Sequence, residues 1–102
     1  MIRVSAFYSQ QAAASFDFDY YKNQHFPMVL ALMKPFGAIR FEVERGLAMS
    51  DGSAPAYLAV GTIYFETMDG LAKGLAQHGG TILADVKNYT NLTPRLQFGE
   101  LV

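Results

Sequence analysis

The sequence has 102 residues, of which 51% are hydrophobic and 17% charged, with no cysteine and a formal net charge of -1. The high apolar content and the small net charge exclude a disordered chain, and the singly scattered Lys and Arg residues argue against a nucleic-acid partner. The length predicts one domain over residues 1–102, and the lack of cysteine excludes a disulfide scaffold and any cysteine-ligated metal.

The first half of the chain predicts a strand, a loop and a helix. Residues 2–9 are rich in β-formers, and the polar and alanine-rich residues 10–15 predict a loop. A helix is expected to begin near Asp17, which can cap its free N–H groups, and to end near Gly37. Pro27 removes one intrahelical hydrogen bond, so we expect a kink or a break after Asn23. The apolar stripe of this helix consists of Phe18, Tyr21, His25, Met28, Val29 and Leu32.

The second half predicts two strands, a helix and a last strand. Strict alternation indicates a strand over residues 38–47, and a nearly all-apolar run indicates a central strand over residues 57–66. Gly61 in that run marks a bulge or a close approach of another group. A helix is expected over residues 68–78, ended by Gly79 and Gly80, with a further short helix within residues 81–88. The last strand is expected over residues 91–101.

The order β-α-β-β-α-β predicts an α+β, ferredoxin-like domain with a four-stranded antiparallel sheet. Its helices cover only one face of the sheet, so the other face is either solvated or covered by a partner. The second and third strands are too apolar for a solvated face. We therefore expect a homodimer in which two sheets meet face to face.

The expected location is the cytoplasm. The first residues lack the apolar core of a signal peptide, and no apolar run is long enough to span a bilayer, so no membrane partner is expected. The sequence contains no glycine-rich nucleotide motif and no regular metal-ligand spacing, so neither a cofactor nor a metal is expected.

One segment carries most of the functional information. It reads Phe-Asp-Phe-Asp-Tyr-Tyr-Lys-Asn-Gln-His-Phe-Pro-Met over residues 16–28, and a second block reads Ile-Leu-Ala-Asp-Val-Lys-Asn-Tyr-Thr over residues 82–90. The spacing of tyrosine, histidine and proline in the first block resembles the EthD family of dimeric α+β barrel proteins. The second block is similar to a weaker signature of the same family.

The resemblance implies a ferredoxin-like dimer that closes into an α+β barrel, in a bacterial protein associated with the degradation of ethers or other small xenobiotics. Related barrels include cofactor-free monooxygenases, lactone isomerases and polyketide cyclases. In those relatives a cleft between helices and sheet holds a small hydrophobic substrate. The resemblance implies no single reaction.

His25 is the first candidate for chemistry. A histidine on an apolar stripe is either a hydrogen-bonded core residue or a partly desolvated general base or acid acting on a phenol, enol or lactone. Tyr21 lies one helical turn before it, so both side chains can point into one pocket. As a candidate catalytic residue Tyr21 would polarise a substrate oxygen, and its alternative role is that of a packed core aromatic.

Three further residues are candidates for substrate binding: Tyr8, Arg40 and Asp85. Arg40 shares a strand face with Glu42 and Glu44, so it either forms an ion pair there or, if that face lines the pocket, binds a substrate oxygen. Asp85 is a helix cap, a partner for a nearby cation, or the residue that orients a site histidine. These alternatives stay open at this point.

His78 is expected at the end of the second helix, where a cation interacts favourably with the helix dipole. A metal site built from His25, His78, Asp85 and Glu66 is conceivable, but no ligand spacing supports it.

These observations predict an EthD-like protein of small-molecule metabolism that binds a small apolar substrate between helices and sheet. Acid–base chemistry at His25 would make it a cofactor-free oxidoreductase, isomerase or cyclase. The alternative is a dimeric, non-catalytic ligand-binding or accessory protein of a degradation pathway. Whether the chain is an enzyme is left open by the sequence.

Overall fold

The computed structural model describes residues 1–102 and contains one antiparallel sheet of four strands. The strands are β1 (Ile2–Ser9), β2 (Ala38–Arg45), β3 (Tyr57–Phe65) and β4 (Arg95–Glu100). Their order across the sheet is β2-β3-β1-β4, with the helices between β1 and β2 and between β3 and β4. This arrangement confirms the α+β, ferredoxin-like fold.

The first helical run is continuous but irregular. It consists of α1 (Phe18–Tyr20), a π-helical turn (Tyr21–His25, called here the π turn), α2 (Phe26–Met33) and a short 3₁₀ turn. Asp17 caps it by accepting a hydrogen bond from the Tyr20 N–H, as expected. The helix does not break after Asn23. Pro27 has no N–H to donate to the preceding turn, and the widened π turn just before it accommodates the missing bond without a break in the helical run.

The second helix is longer than expected. α3 runs from Met68 to Ala84 and passes through Gly79 and Gly80, which were predicted to end it. Neither glycine adopts the left-handed conformation that terminates a helix, so the pair weakens the helix without ending it. The expected short helix is the last turn of α3 followed by a 3₁₀ turn, Val86–Asn88. No helix has the length and apolar content that crossing a bilayer demands.

The two faces of the sheet differ in character. The helix-covered face carries the core, in which Ala59 and Phe65 of β3 and Leu71 of α3 are almost fully buried. The opposite face, called here the outer face, is bare in the single chain and carries on β2 the charged Arg40, Glu42 and Glu44. The expectation that the second strand is too apolar for a solvated face is therefore wrong for β2.

The apolar part of the outer face lies on the central strands. Val60 of β3 pairs with Phe7 of β1, and Phe7 contacts Tyr57 with ring centroids 4.9 Å apart. Both Phe7 and Val60 are half-buried in the single chain.

Two glycines of α3 provide a matched test of its packing. An added methyl group at Gly70 would overlap the backbone carbonyl of Phe36, whereas one at Gly80 would project into open space. We expect Gly70→Ala to lower the free energy of unfolding by about 1–3 kcal/mol because the backbone cannot yield easily. Gly80→Ala should raise it by about 0.5–1 kcal/mol because alanine loses less conformational entropy in a helix. Urea unfolding measures both, and equal effects at the two positions would contradict this packing.

Candidate functional site

Two segments that are distant in the sequence, one just before the first helical run and one just after α3, are held side by side. Phe16 and Thr90 form an isolated antiparallel bridge, and the Asp17 N–H donates to the Tyr89 carbonyl oxygen at 2.7 Å. The Thr90 hydroxyl donates to the Ser15 carbonyl oxygen, also at 2.7 Å. These bonds place the first block of the sequence motif against the second.

The centre of this junction is a histidine–carboxylate pair. His25 Nδ1 lies 2.9 Å from Asp85 Oδ2. The other carboxylate oxygen accepts hydrogen bonds from the Tyr20 hydroxyl at 2.7 Å and from the Asn88 side-chain amide at 2.8 Å. The Asp85 carboxylate is thus fixed from three directions and in turn fixes the imidazole ring.

The electrostatics assign the proton within the pair. Burial lowers the pKa of His25, and the hydrogen bond to Asp85 only partly offsets this effect. Burial raises the pKa of Asp85, but the hydrogen bonds from Asn88, His25 and Tyr20 outweigh it and the pKa falls below the usual value. An ionised carboxylate only accepts hydrogen bonds, so the neutral imidazole carries its hydrogen on Nδ1. Nε2 therefore holds a free lone pair.

An apolar cavity of about 270 Å³ lies between α2, α3 and the helix-covered face of the sheet. Of its 20 lining residues 16 are hydrophobic, and none is Asp, Glu, Lys or Arg. His25 is part of the wall, whereas Asp85 stands behind it. Nε2 makes no hydrogen bond within the chain and is not sealed off by protein atoms, so it is the edge of the imidazole that a bound molecule can reach.

Three tyrosines line the same cavity as His25. The Tyr8 and Tyr89 hydroxyl oxygens are 2.6 Å apart, and the Tyr21 hydroxyl lies beside that of Tyr8. The Tyr89 ring packs against both Tyr21 and His25, with centroid distances of 4.6 Å and 4.7 Å. Burial raises the pKa of all three hydroxyls, so they remain protonated at neutral pH.

The π turn and Gly61 together position Tyr21. The widened turn leaves Tyr21 and His25 buried on the same side, with their rings stacked at 5.5 Å and an interplanar angle of 19°. The Tyr21 hydroxyl rests directly on Gly61 of β3, where any side chain would overlap it. The close approach expected at Gly61 is therefore present, and the approaching group is a site residue.

The structure separates the residues nominated from the sequence into two groups. His25, Tyr21 and Tyr8 line the cavity, and Asp85 holds His25 from behind without an ion pair to any Lys or Arg. Arg40 lies on the outer face.

The position of Arg40 follows from its strand register. Its guanidinium forms a 2.8 Å ion pair with Glu42 and lies 4.1 Å from the centroid of the Tyr64 ring. Arg40 faces away from the cavity, so the structural alternative for this residue, an ion pair with Glu42, is the one observed.

The conceivable metal site is not assembled. His78 lies in the middle of α3 rather than at its end, where its ring packs edge-on against Phe36 at 5.9 Å. No group of three His, Asp or Glu side chains is arranged to hold a metal ion.

Sequence reasoning missed three residues of the site: Tyr20, Asn88 and Tyr89. Asn88 and Tyr89 follow Asp85 by three and four residues, a spacing that places them on one face of a helical turn. That spacing, together with their position in the second motif block, was the available signal. Tyr20 is the first member of the Tyr20-Tyr21 pair, and its bond to Asp85 joins residues 65 positions apart in the sequence.

The pKa of His25 makes a testable prediction for stability. Its value in the folded protein lies below the usual 6.5, so between these two values the unfolded chain binds more protons than the folded one. The free energy of unfolding should therefore decrease as the pH falls from 6.5 towards the lowered pKa, and His25→Gln should remove this part of the pH dependence. Urea unfolding across this range measures it.

Asp85→Asn provides the matched control for this prediction. Without the carboxylate, which raises the pKa of His25, the pKa should fall further. Histidine side-chain NMR resonances measure both values. A pKa at or above 6.5 in the native protein would contradict a buried, neutral imidazole.

Comparison with known proteins supports this architecture. Residues 10–93 match the EthD domain family. An EthD-like protein from Ralstonia eutropha JMP134 is 35% identical, with a TM-score of 0.91 over 99% of this chain and 91% of that chain. Among curated proteins no match is found.

Two more distant structures share the fold alone. An EthD family protein from Bacillus halodurans C-125 is 19% identical, with a TM-score of 0.72 over 100% of this chain and 99% of that chain. SnoaB, a cofactor-independent oxygenase from Streptomyces nogalater, is 17% identical, with a TM-score of 0.53 over 98% of this chain and 90% of that chain. The chain belongs to the EthD domain family, because the family matches residues 10–93 and the Ralstonia protein is 35% identical along nearly the whole length.

Proposed function

We propose that this protein binds a small apolar molecule in the cavity and transfers a proton to and from it through His25. The observation that carries the proposal is the His25–Asp85 pair, which leaves Nε2 as a free base at the wall of an otherwise apolar cavity. A base in such a place is partly desolvated and close to its bound partner, which are the conditions for general acid–base catalysis.

The proton transfer itself needs no group outside the chain and its substrate. Nε2 of His25 takes a proton from a C–H or O–H group of the substrate, and Asp85 stabilises the resulting imidazolium through the Nδ1 hydrogen bond. Tyr21 and Tyr8 polarise the substrate oxygen on which negative charge develops. His25 then returns the proton to the substrate at the same or another atom. Arg40 has no part in this mechanism because it faces away from the cavity.

Several reaction types share this first step. Return of the proton to another carbon is an isomerisation, and attack of the carbanion on a second carbonyl carbon of the substrate is a cyclisation. Reaction of the carbanion with molecular oxygen, the co-reactant of an oxygenase, is an oxidation. The cofactor-independent oxygenase with the same fold makes the last type a reasonable member of this set. The proposal commits to the proton transfer that all three require.

A second candidate function is ligand binding without conversion, for an accessory protein of a degradation pathway. The observation that favours it is the predominantly hydrophobic cavity wall, which suits storage or delivery of an apolar compound. This candidate predicts affinity for the ligand but no proton exchange.

We also propose that a second copy of the chain covers the outer face. The helices leave this face bare, and its central strands carry the half-buried Phe7 and Val60 between charged residues on β2 and Arg95 on β4. Two sheets that meet through these residues would form the dimeric α+β barrel that the family resemblance implies.

Proton transfer is testable without the natural substrate. Acetophenone in D₂O exchanges its methyl hydrogens when a base forms its enolate, and NMR follows the exchange. We expect the protein to accelerate this exchange and His25→Gln to reduce the acceleration by about 100-fold or more, the usual contribution of a general base.

Two leucine variants of α3 test whether the ligand binds in the cavity. Gly79 lines the cavity, whereas a side chain at Gly80 meets open space. Gly79→Leu should abolish binding and exchange by filling the cavity, whereas Gly80→Leu should leave both unchanged. Binding of acetophenone with exchange no faster than in His25→Gln would favour the accessory role, and equal behaviour of the two leucine variants would place the ligand elsewhere.

A charged residue at the centre of the proposed interface tests whether the protein is a dimer. Val60→Lys should halve the mass measured by size-exclusion chromatography with light scattering, because a buried unpaired ammonium group opposes association. Ser53→Lys in the exposed loop before β3 is the control and should leave the mass unchanged. A native protein that is already monomeric would refute the proposal.

A further inference from the structure

The hydroxyl groups of Tyr8, Tyr21 and Tyr89 have more hydrogens than the protein has acceptors for them. The Tyr8 and Tyr89 hydroxyls bond to each other at 2.6 Å, the Tyr21 hydroxyl lies beside that of Tyr8, and no other protein group bonds to any of the three. A row of three hydroxyls has three hydrogens but at most two links between neighbours. At least one hydroxyl hydrogen therefore has no acceptor within the chain.

The unused hydrogen belongs to a group in the cavity wall. Tyr8 and Tyr21 are each only 1% exposed and Tyr89 only 3%. No hydroxyl oxygen among them is both sealed off by protein atoms and without a hydrogen-bond partner. All three residues line the cavity that His25 also lines. A buried donor without an acceptor is costly, so the cavity is suited to a molecule that brings one.

The cavity wall also defines the charge of that molecule. No Lys or Arg lines the cavity to balance a carboxylate or phosphate, and no Asp or Glu lines it to balance an amine. Transfer of an unpaired charge from water into such surroundings is strongly unfavourable. The bound molecule must therefore be uncharged before it reacts.

From these observations we infer that Tyr8, Tyr21 and Tyr89 form one hydrogen-bond donor site for the oxygen of an uncharged ketone or phenol. The inference rests on the proposed function, since it names the substrate class and the oxygen site of the same cavity. Tyr89 is a new participant, and its ring contacts both His25 and Tyr21.

The donor site and Asp85 each stabilise one of the two charges that develop during proton transfer. When His25 Nε2 removes a proton next to a carbonyl group, the C–H bond breaks and its electron pair moves to the carbonyl oxygen, which becomes an enolate oxygen. The hydroxyl row donates its unused hydrogen to that oxygen, while Asp85 faces the imidazolium. The base and the donor site therefore stabilise opposite charges at separate points of the wall.

Three probes of nearly the same shape separate the donor site from simple apolar binding. Acetophenone carries a carbonyl group, α-methylstyrene carries a CH₂ group in its place, and benzoate carries a carboxylate. We define the ketone preference as the dissociation constant of α-methylstyrene divided by that of acetophenone, both measured by ligand-observed NMR. None of the three constants depends on turnover.

The decisive variant removes all three hydroxyls: Tyr8→Phe, Tyr21→Phe and Tyr89→Phe together. We expect the ketone preference to fall by about 5- to 10-fold, the value of one buried hydrogen bond, while α-methylstyrene affinity stays within about twofold. Benzoate should bind the native protein at least about 10-fold more weakly than acetophenone. Tyr57→Phe removes an exposed hydroxyl outside the cavity and should change nothing.

If the triple variant does not fold, the three single Tyr→Phe variants replace it, and at least one of them should lower the ketone preference by at least about threefold, because a carbonyl oxygen bonds directly to only one or two of the hydroxyls. An unchanged preference in the folded variant, or benzoate binding as tight as that of acetophenone, would overturn the inference. Failure of the proposed function looks different. In that case acetophenone binds with the expected preference, but its deuterium exchange does not depend on His25.

Discussion

The arrangement of the whole site depends on the carboxylate of Asp85. It accepts hydrogen bonds from Tyr20 before the π turn, from His25 at its end, and from Asn88 in the turn after α3. These donors come from both motif blocks, so one side chain joins the first helical run to the end of the second. The same contact holds His25 in the tautomer whose Nε2 has a free lone pair.

A carboxylate can do this only because the surrounding backbone brings it to within hydrogen-bond distance. Backbone contacts alone align the two segments: the bridge between Phe16 and Thr90, and the hydrogen bond from the Asp17 N–H to the Tyr89 carbonyl oxygen. Their cost in chain entropy is shared with the sheet, because β1 and β4 are neighbouring strands. The site is therefore built at a place where the fold already holds distant residues together.

Much of the fold could be predicted from local patterns. Alternation in β2 and the apolar run in β3 identified the strands, and their order along the chain identified the ferredoxin-like topology. The end of α3 was missed because glycine permits both helix continuation and termination, and the choice depends on packing that a sequence does not display.

The site was predicted less completely than the fold. The spacing of Tyr21 and His25 indicated a shared direction, but the role of Asp85 depends on a contact across 60 residues of sequence. The face of Arg40 was correctly grouped with Glu42 and Glu44, yet only the sheet topology shows that this face is turned away from the cavity. Tyr89 was missed although it lies four residues after Asp85, because its contacts with Tyr21 and His25 join residues that are far apart in the sequence.

The contact between Tyr21 and Gly61 also limits how this site can diverge. Because the tyrosine hydroxyl rests where a β-carbon would be, a larger residue at position 61 is compatible only with a shorter one at position 21. Relatives that keep tyrosine at the first position should keep glycine at the second, and those with a larger residue at the second should have a shorter one at the first. Substitutions at the two positions are therefore coupled, and together they would change the shape of the cavity without altering the His25–Asp85 pair.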